Sequence, residues 1–134
     1  MSQSEEPAYE PVGIDLAPVV QALEAAGASF AYLHGSRTTG AARGASDVDV
    51  AAWFGRPVDA WVVAVELPEL VDLLVLDEAP LELAGRVALR GQLLFEVDPA
   101  VRVAWEATTR KIYLDEQPRM TQARRDFVQA RRRG

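Results

Sequence analysis

The 134-residue sequence predicts an α+β fold, a small mixed sheet with flanking helices. Three observations carry that expectation. Four short apolar runs, at 29–34, 47–54, 71–76 and 92–96, have the length of strands. Around them, apolar residues recur at helical spacing, and Gly, Pro and Asp punctuate the junctions. Apolar residues make up 49% of the chain, enough to bury a core in one domain and too many for a disordered protein.

In chain order, residues 1–13 read as a flexible N-terminus and 14–134 as a single domain with C-terminal helices. Asp15 is placed to cap a helix that carries Leu16, Val19, Val20 and Leu23 at helical spacing and stops at Gly27. Pro18 falls in the first turn, where its missing amide costs nothing. Strands follow at 29–34 and 47–54, and the loop between them starts with a helical turn at Ser36. The segment 58–65 is ambiguous: Trp61-Val62-Val63 favours a strand, while Asp59 suits the cap of a short helix. The nearly continuous apolar run 71–76 is expected in the buried middle of the sheet. A helix is expected at 80–89 and a strand at 92–96. Asp98-Pro99 then starts a helix towards Tyr113, Pro118 interrupts it, and a final amphipathic helix spans 120–131.

The most informative stretch is Gly35-Ser36, ten intervening residues, then Asp47-Val48-Asp49. Strand side chains alternate faces, so Asp47 and Asp49 share one face while Val48 and Val50 point into the core. Adjacent carboxylates repel unless a cation or proton lies between them. Hard divalent cations such as magnesium suit such a pair, especially with substrate phosphates completing the coordination. The Gly-Ser turn supplies the complement, since backbone amides at such a turn bind anions and Ser36 adds a hydroxyl. Asp72 lies early in an otherwise apolar strand, where an unpaired carboxylate would cost several kcal/mol to bury. Asp77 follows the strand beside Glu78 and Pro80 and reads as a turn residue.

Other chemistries are excluded or disfavoured. There is no cysteine, which rules out disulfides and thiolate metal sites, and a single histidine, His34, cannot build a zinc site. Trp53, Trp61 and Trp105 read as core or partner contacts rather than base-stacking platforms. Residues 1–109 carry 17 acidic and 6 basic side chains, a net of −11; residues 110–134 carry 8 basic and 3 acidic, a net of +5. An acidic body argues against direct nucleic-acid binding, and the basic end reads as a solvated helix terminus favoured by its dipole. The start of the sequence is polar and acidic, and no apolar run approaches the roughly twenty residues of a membrane helix, so a cytoplasmic location without membrane contact is expected.

The Gly-Ser turn with its Asp-x-Asp resembles the DNA polymerase β-like nucleotidyltransferase superfamily over about residues 30–54, and more loosely through 71–80 and 91–95. The spacer and the small size look most like the minimal nucleotidyltransferases, antitoxin partners of HEPN-domain toxins. Members often read Gly-Ser-Arg-Ala-Arg-Gly where this chain has Gly35-Ser-Arg-Thr-Thr-Gly40; Thr39 stands in place of an arginine, and Arg43 lies further along the loop. The resemblance implies a polymerase β-like fold, with Asp47, Asp49 and Asp72 as catalytic residues and ligands of two Mg2+ ions. It implies that Gly35, Ser36, Arg37, Arg43 and Ser46 hold ATP as substrate. It further implies transfer of AMP to a tyrosine of a HEPN RNase toxin. The alternatives are an enzyme modifying a small molecule such as an aminoglycoside, and an antitoxin that acts by binding alone.

Overall fold

The computed structural model describes residues 15–35 and 48–133. The expected flexible N-terminus, the helical turn at Ser36 and the loop to Asp47 lie outside the described residues. Helix α1 (Ala17–Ala25) starts where Asp15 Oδ1 accepts a hydrogen bond from the Ala17 amide at 3.0 Å, and it buries Val19 and Leu23. Strands β1 (Phe30–His34) and β2 (Val48–Trp53) pair antiparallel, with Phe30 opposite Trp53 and His34 opposite Asp49. The ambiguous segment is helical: in α2 (Ala60–Ala64), the Asp59 side chain accepts from the Trp61 amide at 3.0 Å. A satisfied cap outweighs the strand preference of the Val pair.

Strand β3 (Val71–Val75) runs parallel to β2, which requires a crossover connection, and α2 lies within it. A 3-10 turn (Leu76–Glu78) and helix α3 (Leu81–Arg90) lead into β4 (Gln92–Glu96), antiparallel to β1. Helix α4 (Pro99–Arg133) follows β4. The sheet order is β3-β2-β1-β4, a mixed sheet with helices on both faces, as expected. Alternation divides the core in two. Ala31, Leu33, Val48, Val50 and Ala52 pack with Val19 and Leu23 of α1 and Val63 of α2. Phe30, Tyr32 and Ala51 pack on the other face with Ala84 and Val87 of α3, and with Trp105 of α4.

Two expectations fail. β3 is an edge strand of the described sheet, not a central one. Its apolar run reflects cover on both faces, since Leu73 joins one cluster and Leu74 the other, while its outer edge stays unpaired in that sheet. The second failure is at Pro118, which does not divide the C-terminal helices: α4 runs through it as one 35-residue helix, about 52 Å long. A proline removes one helical hydrogen bond, a local cost that contacts on either side offset. Before it, Arg110 Nε donates to the Ala88 carbonyl of α3 at 2.8 Å; beyond it, Arg124 forms an ion pair with Glu82 of α3 at 2.6 Å. No helix among the described residues is long and apolar enough to cross a membrane.

Candidate functional site

The site is assembled at one end of β1, β2 and β3. His34 is the register partner of Asp49 across the antiparallel pair, and Asp49 is the register partner of Asp72 across the parallel pair. These three residues form a transverse row on adjacent strands, which lie about 4.8 Å apart. On the opposite face Val48 and Val50 are fully buried, as the alternation predicts. Asp49 is half-buried and Asp72 exposed.

Gly35 closes β1 with φ of +85°, in the left-handed region that favours glycine. A Cβ built there would lie 2.5 Å from Asp49 Oδ2. The glycine thus provides both the turn and the space in which the carboxylate sits. Burial pushes the His34 imidazole below its ordinary pKa, against the pull of the Asp49 charge. The ring at the strand end is thereby biased towards its neutral form. Two hard oxygen donors on neighbouring strands, one open to solvent, suit a divalent cation shared with a phosphate-bearing substrate.

Of the residues singled out in the sequence, the structure brings Gly35, Asp49 and Asp72 together. Ser36, Arg37, Arg43, Ser46 and Asp47 lie outside the described residues. Among the described residues, no three His, Asp or Glu side chains gather closely enough to hold an ion. The burial argument for Asp72 does not hold, because an edge strand leaves its side chain in solvent. Asp77 is a turn residue, as expected: its carboxylate accepts from the Phe54 amide at 2.9 Å and the Gly55 amide at 2.7 Å.

Sequence reasoning missed the polar tie between the sheet and α4. The Tyr32 hydroxyl donates to Glu106 at 2.5 Å, and Glu106 also pairs with Arg102 at 3.2 Å and Arg110 at 3.3 Å. The partners are separated by 74 positions, so no local pattern announces them. Trp53 and Trp105 belong to the aromatic cluster around Phe30, with Trp53 stacked on Phe30 at 5.4 Å; both were expected in the core or at a partner contact.

Comparison with known proteins agrees with this geometry. Residues 19–100 match the family described as Polymerase beta, Nucleotidyltransferase. No match is found among curated proteins. Among solved structures, the chain is similar to a chain of a toxin–antitoxin complex with AMP-PNP, at 22% identity and a TM-score of 0.71, covering 86% of this chain and 99% of that one. It is also similar to a chain of an MntA–HepT toxin–antitoxin complex, at 21% identity and a TM-score of 0.62, covering 82% and 93%. A third similar chain comes from a tri-AMPylated Shewanella oneidensis HEPN toxin in complex with its MNT antitoxin, at 20% identity and a TM-score of 0.62, covering 82% and 92%. At these identities the likeness establishes the fold, and the family match covers more than half of the chain: the chain belongs to the polymerase beta nucleotidyltransferase family.

Proposed function

We propose that this chain is a magnesium-dependent, cytoplasmic nucleotidyltransferase antitoxin that transfers AMP from ATP to a tyrosine of a cognate HEPN RNase toxin. The carrying observation is the register pairing of Asp49 with Asp72 beside the Gly35 turn. The family match and the fold shared with chains of AMPylated and AMP-PNP-bound toxin–antitoxin complexes support the same reading.

In this reading Asp47 and Asp49 on β2 and Asp72 on β3 supply the metal ligands, and Gly35, Ser36, Arg37, Arg43 and Ser46 cradle the triphosphate. When bound, the two magnesium ions supply positive charge at the entering and leaving oxygens. Asp72, solvent-open at the sheet edge, accepts the proton of the attacking tyrosine hydroxyl. The phenolic oxygen forms a bond to the α-phosphorus, the bond to the β-phosphate oxygen breaks, and pyrophosphate leaves. Positioning by rigid strands supplies much of the rate. The added phosphate charge and bulk on the toxin oppose RNA binding at a basic site.

The test is intact-mass spectrometry of a candidate HEPN toxin, sought first in the adjacent reading frame, after incubation with this chain, ATP and magnesium. AMP additions at tyrosine, abolished by EDTA, are expected. A neutralised but unmodified toxin would favour an antitoxin that acts by binding alone. AMP transfer to an aminoglycoside with the toxin untouched would favour a small-molecule enzyme.

A further inference from the structure

Helix α2 presents an apolar face that nothing in the described chain covers. Its inward side chain, Val63, is buried, as is Leu67 just beyond. Outward, Trp61 is 75% exposed, more than any other large apolar side chain among the described residues. Val65 lies one turn from Trp61 on the same face and is 58% exposed; Val62 and Leu70 are exposed as well. Exposed tryptophan flanked by aliphatic side chains is characteristic of protein–protein contact sites.

The stretch that builds this face carries charge of one sign: from Pro57 to Val75 the charged residues are Asp59, Glu66, Glu69 and Asp72, all acidic. Glu66 and Glu69 are exposed beside the apolar group. The face also continues into the candidate site. The Leu70 carbonyl accepts from the Val48 amide at 3.3 Å, and Asp72 follows two residues later, solvent-open on the edge of β3 that the described sheet leaves unpaired. A body seated on Trp61 and Leu70 therefore lies against the strand that carries Asp72.

We propose that the α2–β3 face docks the protein acceptor of the transfer, and that this acceptor presents a basic surface with an apolar seat for Trp61. The inference rests on the nucleotidyltransferase reading above. An RNA-handling acceptor has basic surface to offer, and complementary charge speeds encounter and fixes orientation. A symmetric contact between two copies would set the same carboxylates against each other. The exposed Phe127 and Val128 near the end of α4 lie among arginines and suit an acidic partner instead.

The experiment compares binding of the candidate HEPN toxin, without ATP, to the wild-type chain and three variants: Trp61→Ser with Val65→Ser, Glu66→Lys with Glu69→Lys, and Phe127→Ser with Val128→Ser. All six positions are exposed. The first variant is expected to weaken binding about tenfold or more, with magnesium-ATP affinity unchanged. The charge reversal is expected to weaken binding and flatten its dependence on salt. The α4 variant is expected to bind within about threefold of wild type, as a contact outside the docking face would. Wild-type affinity retained in both α2-side variants overturns the docking face, while AMP transfer by the wild type would leave the enzymatic reading standing. A lone-chain dimer dissociated by the Trp61 variant overturns it in favour of self-association. A wild-type chain that neither binds nor modifies the HEPN protein removes both proposals together.

Discussion

Gly35 and Asp49 occupy one another's space: a side chain on Gly35 would begin 2.5 Å from the Asp49 Oδ2 atom. The left-handed backbone at Gly35 and the seat of the carboxylate are thus one structural requirement. Gly35→Ala is expected to strain the turn by about 1–2 kcal/mol and to displace Asp49. Calorimetry should show magnesium-dependent ATP binding lost, beyond what the fall in stability from denaturant unfolding explains.

Asp72 and Asp77 sit five positions apart and are expected to respond oppositely. Asp72 is exposed, so Asp72→Asn should change stability by less than about 0.5 kcal/mol while removing AMP transfer. Asp49→Asn and Asp47→Asn should likewise remove transfer, and relief of repulsion is expected to keep the metal-free protein stable. Unfolded variants at these positions would mark the aspartates as structural.

Asp77→Ala leaves two backbone amides, of Phe54 and Gly55, without their acceptor. A loss of about 1–3 kcal/mol in chemical denaturation is expected, with magnesium-ATP affinity retained in the folded fraction. Retained stability would show that water replaces the carboxylate at no cost.

Burial, reinforced by the hydrogen bond and charge of Glu106, pushes the Tyr32 phenol well above its ordinary pKa near 10. The folded chain keeps the proton where the unfolded chain releases it. The stability this contributes is complete below pH 10 and is lost as pH rises above it. Tyr32→Phe should cost about 1 kcal/mol at neutral pH, yet lose less on alkaline titration than the wild type, as read from denaturation midpoints across pH 8–11.

Gly85 lets α4 approach α3. A Cβ there would fall 2.2 Å from Tyr113 Cγ and 2.7 Å from its Cβ, at the root of a buried ring that cannot swing aside. Alanine brings about 1 kcal/mol of helix propensity, and the overlap should exceed it. Gly85→Ala is expected to lower the thermal midpoint by several degrees.

By itself the sequence determined what depends on near neighbours. The four strands, α1 and α3, the Asp59 cap as one of two options, and the side-by-side placing of Val48, Asp49 and Val50 on alternating faces all follow from periods of two or 3.6 and from local turn chemistry. Tertiary structure decided what depends on distant partners. The pairing of Asp49 with Asp72 joins residues 23 positions apart and requires a parallel crossover whose register no local pattern encodes. β3 reads as a central strand because apolar side chains report cover on its faces, whereas hydrogen-bonded neighbours along its edges leave no mark in side-chain character. Pro118 reads as a helix break because the lost hydrogen bond is local, while the Arg110–Ala88 and Arg124–Glu82 contacts that brace α4 on either side of it are made with another helix.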